Sequence, residues 1–146
     1  MAVVIIGEGE AKNELIELSR TLNVIDRTLF LDYLPTPYNY LSLFDVYAMC
    51  SRSEGFGLAA VEATLMQTPV VCSNISIFKE IFDDTKVSFF ELDNISSLLE
   101  SINIAISTIG KLKAKVALNY SLNNFSGYKM ASNYLDIYSN LLNGKI

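Results

Sequence analysis

The chain has 146 residues, of which 51% are hydrophobic and 18% are charged, and its net charge at pH 7 is -5. This composition excludes a disordered chain, and the length favours a single domain with a substantial core. The negative charge argues against a general electrostatic affinity for nucleic acid or anionic lipid, although a local phosphate site stays open.

The cysteine and histidine content bears on metal binding. There is no histidine, and Cys50 and Cys72 show no CxxC spacing, so the usual zinc ligand sets cannot form. There is also no DxD triplet, and we expect neither a bound metal nor a cofactor. Each cysteine ends an apolar run, which favours two buried thiols in a reducing compartment over a disulfide.

The N-terminal sequence MAVVIIGEGE has no basic region of the kind that begins a signal peptide. No charge-free apolar stretch reaches the ~18 residues that a transmembrane helix requires. We therefore expect a cytoplasmic chain, at most peripheral to a membrane.

Short apolar runs alternate with amphipathic segments along the first 106 residues. Runs that are buried on both faces and separated by helices indicate a parallel sheet. The pattern predicts a doubly wound, Rossmann-like α/β sandwich with right-handed crossovers. The five predicted strands are AVVIIG, RTLFLD, DVYAMCS, PVVCS and KVSFFEL.

Helices are predicted between these strands. In EAKNELIELSRTLN, Leu15, Leu18 and Leu22 are spaced as the buried face of an amphipathic helix. Further helices fit GLAAVEATLMQ, ISIFKEIF and NISSLLESINIAIS, the last with Asn94 as its N-cap.

The remaining segments complete the prediction. LPTPYNY, residues 34 to 40, is expected to form a loop, since a proline restricts the residue before it. From residue 107 onward the strand pattern stops, and helices near 108–119 and 128–142 predict a helical C-terminal tail. The alternate spacing of Lys111, Lys113 and Lys115 favours a solvated helix face over a site for lipid or phosphate.

Ligands of open α/β sheets bind at the carboxyl ends of the strands, which directs attention to GEGE and SRSEGFG. GEGE, residues 7 to 10, begins like a dinucleotide fingerprint, but Lys12 takes the place of the third glycine, so a tight strand-to-helix turn is favoured. In SRSEGFG, Gly55 and Gly57 let a ligand approach the backbone where a helix begins, which suits a phosphate. Arg52 is either a substitute phosphate ligand or a surface arginine.

Two carboxylates bracket this helix start. Glu54 is either a capping acid or a group that faces a sugar beyond the phosphates, and Glu62 is either a solvated residue or an acceptor for a pair of ribose hydroxyls. A carboxylate suits such a pair of hydroxyls because its two oxygens accept hydrogen bonds side by side.

The glutamate pair within SEGFGLAAVEA, followed by TPVV, resembles the signature of the group 1 retaining glycosyltransferases of the two-domain GT-B type. VVIIGEGE, RTLFLDYL, YLSLFDVYAMCSRSEGFG and SIFKEIF resemble further segments of that family in the same order, so the likeness covers nearly the whole chain. It implies one half of a GT-B fold: residues 1–146 would be the C-terminal, nucleotide-sugar-binding domain.

The resemblance also implies roles for individual residues. Glu54 would be the catalytic residue that contacts the transferred sugar, and Glu62 would bind the ribose. The backbone of Gly55, Phe56, Gly57 and Leu58 would hold the sugar and pyrophosphate, and that around Leu34 the nucleotide base. The partners would be a nucleotide-diphosphate sugar and a glycan or lipid-linked acceptor, with no nucleic acid.

Several features depart from the family pattern. The arginine and lysine that usually bind the pyrophosphate would precede Met1, so the chain is expected to start inside the domain, without the N-terminal acceptor domain, and to be inactive alone. Asp32 stands where the family has a glycine, and QTPVV and SNISIF lack usual glycines. A non-catalytic α/β binding or scaffolding domain derived from such an enzyme is the alternative, and a nicotinamide-dependent reductase comes third.

Overall fold

The computed structural model describes residues 1–144. The chain divides into two compact units, residues 1–39 and residues 40–146, and the second is described to residue 144. Five strands and seven helices alternate along the described chain: β1 Val3–Ile6, α1 Lys12–Thr21, β2 Thr28–Leu31, α2 Tyr38–Leu41, β3 Tyr47–Met49, α3 Leu58–Leu65, β4 Val70–Ser73, α4 Ser76–Ile81, β5 Ser88–Phe90, α5 Ile95–Ile106, α6 Thr108–Asn124 and α7 Gly127–Leu142. All five predicted strands and the predicted alternation with helices are confirmed.

The first unit is a parallel pair of strands connected by α1. β1 and β2 pair from Val3 opposite Thr28 to Ile6 opposite Leu31, and the N–H of Gly7 extends the pairing to the Leu31 carbonyl at 3.1 Å. A short 3-10 turn precedes β2. Lys12, which takes the place of the third glycine of a dinucleotide fingerprint, forms an ion pair with Asp32, which stands where the family pattern has a glycine.

The predicted buried face of α1 is wrong. Leu15, Leu18 and Leu22 are 40%, 50% and 60% exposed, whereas Ser19 is the buried residue of the helix and Ile16 is half-buried. Within this unit two short strands present too narrow a surface to cover a wide leucine stripe, so the stripe stays in contact with solvent.

The second unit contains a three-stranded parallel sheet in the order β3-β4-β5, with the central strand β4 buried along its whole length. Val70 and Cys72 face a core formed with α3 and α4, which includes Phe78. Val71, on the opposite face of the strand, packs with Phe90 and with α5. Helices therefore cover both faces of this sheet, as expected for a doubly wound α/β sandwich. Among the described residues the strands form two sheets, where the sequence predicted one.

The helices α5 and α6 meet closely after the last strand. Asn94 caps α5 as predicted, with its side chain accepting from the Ser97 N–H at 3.0 Å. Gly110 is needed where the two helices meet, because an added Cβ would lie 1.9 Å from the Ala105 carbonyl oxygen.

The C-terminal tail is helical as predicted, but α6 extends five residues further, to Asn124. Its extra turn packs inward because Ser121, which is fully buried, bonds to Thr64 of α3 with 2.7 Å between the hydroxyl oxygens. The helix α7 has no buried residue.

Three local expectations are wrong. Lys111 and Lys115 are exposed as expected, but Lys113 is half-buried, since its ammonium group donates to the Val87 carbonyl at 2.9 Å and reaches the Ser88 hydroxyl at 3.3 Å. Cys72 is buried, but Cys50 is exposed, because the alternation along β3 puts it on the same side as exposed Ala48. The loop of residues 34 to 40 ends early, at Pro37, because a proline is well tolerated just before a helix and α2 begins at the next residue.

None of the helices within residues 1–144 is long and apolar enough to cross a bilayer.

Candidate functional site

The segment between β3 and α3 places the predicted site residues at the carboxyl end of β3. Gly57 precedes α3 and has a left-handed backbone, with φ +84° and ψ 44°. A Cβ added to this residue would lie 2.5 Å from Cε1 of Phe78, which is fully buried. Both the backbone conformation and the available space therefore require glycine.

The first turn of α3 presents backbone N–H groups. The N–H groups of Ala60 and Val61 turn back to the Gly57 carbonyl at 3.0 and 3.3 Å. Those of Leu58 and Ala59 come before the first intrahelical hydrogen bond and point out of the helix end. Together with the partial positive charge of a helix N-terminus, they make this turn suitable for an anion such as a phosphate.

Glu54 is half-buried and held by its neighbours. The Ser51 hydroxyl donates to Glu54 Oε1 at 2.7 Å. The hydroxyl of Ser73, a fully buried residue of β4, donates to the Ser51 carbonyl at 2.6 Å. The end of the central strand thus fixes the backbone from which the Ser51 side chain reaches Glu54.

Glu62 is half-buried in the middle of α3, and both glutamates act on one aromatic side chain of β3. Partial burial, and then the negative charges of Glu54 and Glu62, raise the pKa of Tyr47 to about 12. The two carboxylates therefore lie close enough to the same phenol to disfavour its ionisation. Both predicted carboxylates therefore lie within electrostatic range of Tyr47.

Sequence reasoning did not single out Tyr47 or Ser51. Part of the signal was present, since Tyr47 and Met49 share one side of β3 and Ser51 follows two residues later. It is less evident from the sequence that Tyr47 and Ser51 lie near the two glutamates, because Glu54 is on an irregular loop and Glu62 is on a helix.

Phe56 connects the loop to the end of α6. It is 40% exposed, and its ring meets that of Phe125 edge to face, with 5.6 Å between the centroids. Phe125 makes similar contacts with Tyr120 at 5.5 Å and with Phe82 at 6.5 Å. We call these four residues, Phe56, Phe82, Tyr120 and Phe125, the aromatic cluster.

The remaining predicted residues have other surroundings. Gly55 has open space around it, and Leu58 is 67% exposed. Arg52 forms a two-point ion pair with Asp93, with Nη1 2.9 Å from Oδ2. Of the two alternatives for Arg52, a phosphate ligand or a surface arginine, these contacts fit the surface arginine. Leu34 belongs to the first unit, where it is half-buried in the loop after β2.

Solved structures of glycosyltransferases share this fold. The Anabaena protein HepE, in complex with UDP-glucose, superimposes with a TM-score of 0.84 at 22% identity, over 95% of this chain and 41% of that one. A glycosyltransferase from Rickettsia africae gives a TM-score of 0.86 at 22% identity, over 97% of this chain and 40% of that one. The fold is therefore the Rossmann-like α/β arrangement found in GT-B glycosyltransferases.

Sequence comparison defines the family. Residues 1–119 match the family described as Glycosyl transferases group 1. The O-antigen biosynthesis glycosyltransferase WclY of Escherichia coli is 37% identical over 138 residues, which cover 94% of this chain and 38% of WclY. The Campylobacter jejuni enzyme N-acetylgalactosamine-N,N'-diacetylbacillosaminyl-diphospho-undecaprenol 4-alpha-N-acetylgalactosaminyltransferase is 32% identical over 104 residues, covering 70% of this chain and 28% of that enzyme.

The chain belongs to the group 1 glycosyltransferase family, as its resemblance indicated. It spans about two fifths of the length of WclY.

Proposed function

We propose that this chain is the donor-binding domain of a glycosyltransferase that transfers a sugar from a nucleotide diphosphate to a glycan or lipid-linked acceptor. The observation that carries the proposal is the loop from β3 into α3. Gly57 begins α3 with a left-handed backbone, Glu54 is held by Ser51 before it, and Glu62 is half-buried within the helix; the charges of both carboxylates also help to raise the pKa of Tyr47.

The order of these groups suits an extended, negatively charged donor. The diphosphate would bind the N–H groups of the first turn of α3, at Leu58 and Ala59. Glu62 is five residues beyond Gly57, about 7.5 Å along the helix axis at 1.5 Å per residue. This separation excludes Glu62 from the phosphates but suits a ribose attached to them. Glu54, on the other side of Gly57, is proposed to accept hydrogen bonds from hydroxyls of the transferred sugar.

The chemistry of transfer gives the helix terminus its role. When the bond between the sugar and the diphosphate breaks, negative charge develops on the departing phosphate oxygen. Fixed N–H donors stabilise such charge without having to reorganise as it forms. Gly57 is suited to this task, since its left-handed conformation directs the chain into α3.

The relatives support the proposed class of acceptor and donor. WclY is named for O-antigen biosynthesis, and the Campylobacter enzyme is named for a sugar-diphospho-undecaprenol substrate. HepE has been crystallised with UDP and glucose as well as with UDP-glucose. We propose by analogy that the complete protein acts in polysaccharide biosynthesis on a lipid-linked or growing glycan, at the membrane surface, with retention of the anomeric configuration. The base contact at the backbone around Leu34 stays a prediction.

The test is transfer by the complete protein, supplied with a panel of nucleotide sugars and a short lipid-linked saccharide. We expect one nucleotide sugar to be consumed with formation of an extended saccharide and release of the nucleoside diphosphate. The anomeric configuration of the product, read by NMR, tests retention separately. A complete protein that binds no member of the panel and releases no nucleoside diphosphate would contradict the proposal and favour the scaffolding alternative.

A further inference from the structure

We propose that Ser51 is a positioning residue for Glu54. This inference rests on the proposed function, because it assigns to Ser51 an effect on transfer that is exerted through the Glu54 carboxylate. It concerns the step in which the sugar moves and leaves the binding of the nucleotide to other residues.

The first argument is the geometry of the Glu54 carboxylate. Oε1 accepts the Ser51 hydroxyl at 2.7 Å, while Oε2 has no hydrogen-bond partner among residues 1–144. One oxygen is thus held by the protein and the other is left for a ligand. Because the carboxylate could otherwise rotate, the hydrogen bond from Ser51 to Oε1 sets the direction in which Oε2 points.

The second argument is that Ser51 is itself fixed. Its carbonyl accepts from Ser73 at 2.6 Å, and Ser73 is a fully buried residue at the end of the central strand. The connection from the sheet to Oε1 therefore runs through one buried hydroxyl, one backbone group and one half-buried hydroxyl. A loop carboxylate without such support would sample several rotamers, and small misplacements at a reacting group reduce rates.

The third argument is that, within residues 1–144, Glu54 has no other side-chain partner to hold it. The neighbouring cation, Arg52, is paired with Asp93 and makes no ion pair with Glu54 among the described residues. Ser53, next to Glu54 on the chain, is exposed and makes no side-chain hydrogen bond within residues 1–144. Ser51 is therefore the side chain that orients this carboxylate, and Ser53 offers a matched control.

The experiment uses the complete protein and an isosteric pair of variants. Ser51→Thr keeps the hydroxyl, whereas Ser51→Val introduces a side chain of the same size as threonine but without a hydroxyl. Ser51→Ala and Ser53→Ala give the small-residue comparison. We expect Ser51→Val and Ser51→Ala to lower kcat about 10-fold, near the smaller end of the range for a hydrogen bond to a charged group, because water can replace the hydroxyl. Ser51→Thr should restore most of the rate, and Ser53→Ala should match the parent.

Two readouts separate positioning from a general structural role. The Kd for nucleoside diphosphate, measured by calorimetry, should be unchanged in all Ser51 variants. In a Glu54→Gln background, Ser51→Ala should cause little further loss of kcat, because two residues that act through one group are not additive.

The proposal is overturned if Ser51→Val transfers as fast as Ser51→Thr, or if the Glu54→Gln and Ser51→Ala losses multiply. It is also overturned if the Ser51 variants weaken nucleotide binding as much as they slow transfer. If Glu54→Gln alone keeps the parent rate, the proposed role of Glu54 fails together with that of Ser51. If Glu54→Gln is slow and Ser51→Ala is not, the positioning role alone fails.

Discussion

The ring of Phe78 occupies the space in which a side chain at Gly57 would begin, with Cε1 2.5 Å from the position of an added Cβ. Phe78 is fully buried in the core between the sheet and α4, so its ring cannot turn away without disturbing that core. The start of α3 is therefore shaped by a core residue twenty-one positions later in the chain. This contact gives the first prediction.

Gly57→Ala should destabilise the protein strongly. The left-handed conformation costs a non-glycine residue about 1–2 kcal/mol, and the contact with Phe78 adds to this cost. We expect a loss of at least about 2 kcal/mol in urea-induced unfolding. Gly55→Ala is the matched control, since among the described residues no atom beyond its chain neighbours lies within 4 Å of its added Cβ. Gly57→Ala should cost less in a Phe78→Leu background than in the parent, because the part of the loss that comes from the ring is then absent, whatever Phe78→Leu costs by itself. Equal stability of the Gly57 and Gly55 variants would contradict the assigned contact.

Glu62→Gln should weaken nucleotide binding. The amide leaves one carbonyl acceptor in place of a charged carboxylate with two, so a ribose diol at this position loses about 1.5–3 kcal/mol. Affinity for the nucleoside diphosphate should fall roughly 10- to 150-fold in calorimetric titration. A variant that binds the nucleotide as tightly as the parent would show that Glu62 does not hold the ribose.

Glu54→Gln should behave in the opposite way. Its proposed partner is the sugar, so affinity for the bare nucleoside diphosphate should barely change, while the rate of transfer by the complete protein falls. Titration with nucleoside diphosphate and turnover with the nucleotide sugar, measured on the same preparation, separate the two effects. Loss of nucleotide binding in this variant, with binding retained in Glu62→Gln, would exchange the two assigned roles.

Tyr47 should make stability depend on pH in the alkaline range. Its pKa is about 12 in the folded protein and about 10 in an unfolded chain, so the unfolded state loses its proton first. The contribution of the neutral phenol is fully present below pH 10 and is lost as the pH rises towards 12, by at most about 2–3 kcal/mol. Urea unfolding from pH 9 to pH 11.5 should show the parent losing stability relative to Tyr47→Phe.

The same titration tests whether the two carboxylates lie near this phenol. Absorbance at the tyrosinate band should show one late-ionising tyrosine that disappears in Tyr47→Phe. Glu54→Gln and Glu62→Gln should each lower the pKa of Tyr47, although burial, the largest cause, remains. If the pKa of Tyr47 changed in neither variant, the two carboxylates would not lie near its phenol.

The two thiols should react at very different rates. Cys50 is exposed, whereas Cys72 is fully buried in β4 and burial, followed by the charge of Asp84, raises its pKa to about 12. Burial also raises the pKa of Cys50, but its side chain is accessible, so a thiol reagent at pH 8 should label Cys50 faster than Cys72, which should react only on unfolding. Cys50→Ser should remove the fast phase, and a fast phase that persists in it would contradict the burial of Cys72.

Local sequence patterns located the elements well where the surrounding contacts follow from the pattern itself. The run PVVCS is apolar throughout because β4 is covered on both faces, and Asn94 caps α5 through a local hydrogen bond. Periodicity was misleading for α1, because a leucine stripe identifies an apolar face but not what is available to cover it. Leu15, Leu18 and Leu22 share such a face and are exposed.

The candidate site likewise combines residues that a local sequence pattern identifies with residues that it does not. Glu54, Gly57 and Glu62 were recognisable from their spacing because they lie within thirteen consecutive residues, 51 to 63. Phe78, which forces glycine at residue 57, and Ser73, which supports Ser51, come from later elements of the chain. Their contributions depend on β4 lying beside β3 and on α4 packing under the loop, and no local pattern encodes these contacts. The hydrogen bond from the Lys113 ammonium group to the Val87 carbonyl is a further case.

The aromatic cluster bears on where this domain can be cut. The family match ends at residue 119, but Tyr120 and Phe125 lie beyond it and pack around the loop residue Phe56. A truncated protein that ends at the limit of the match would leave the Phe56 ring without its edge-to-face partner and would expose Phe82. Such a protein would also lack Ser121 and leave the buried Thr64 hydroxyl without that partner. The recognisable part of the sequence therefore stops short of the folding unit, whose C-terminal boundary lies no earlier than Phe125.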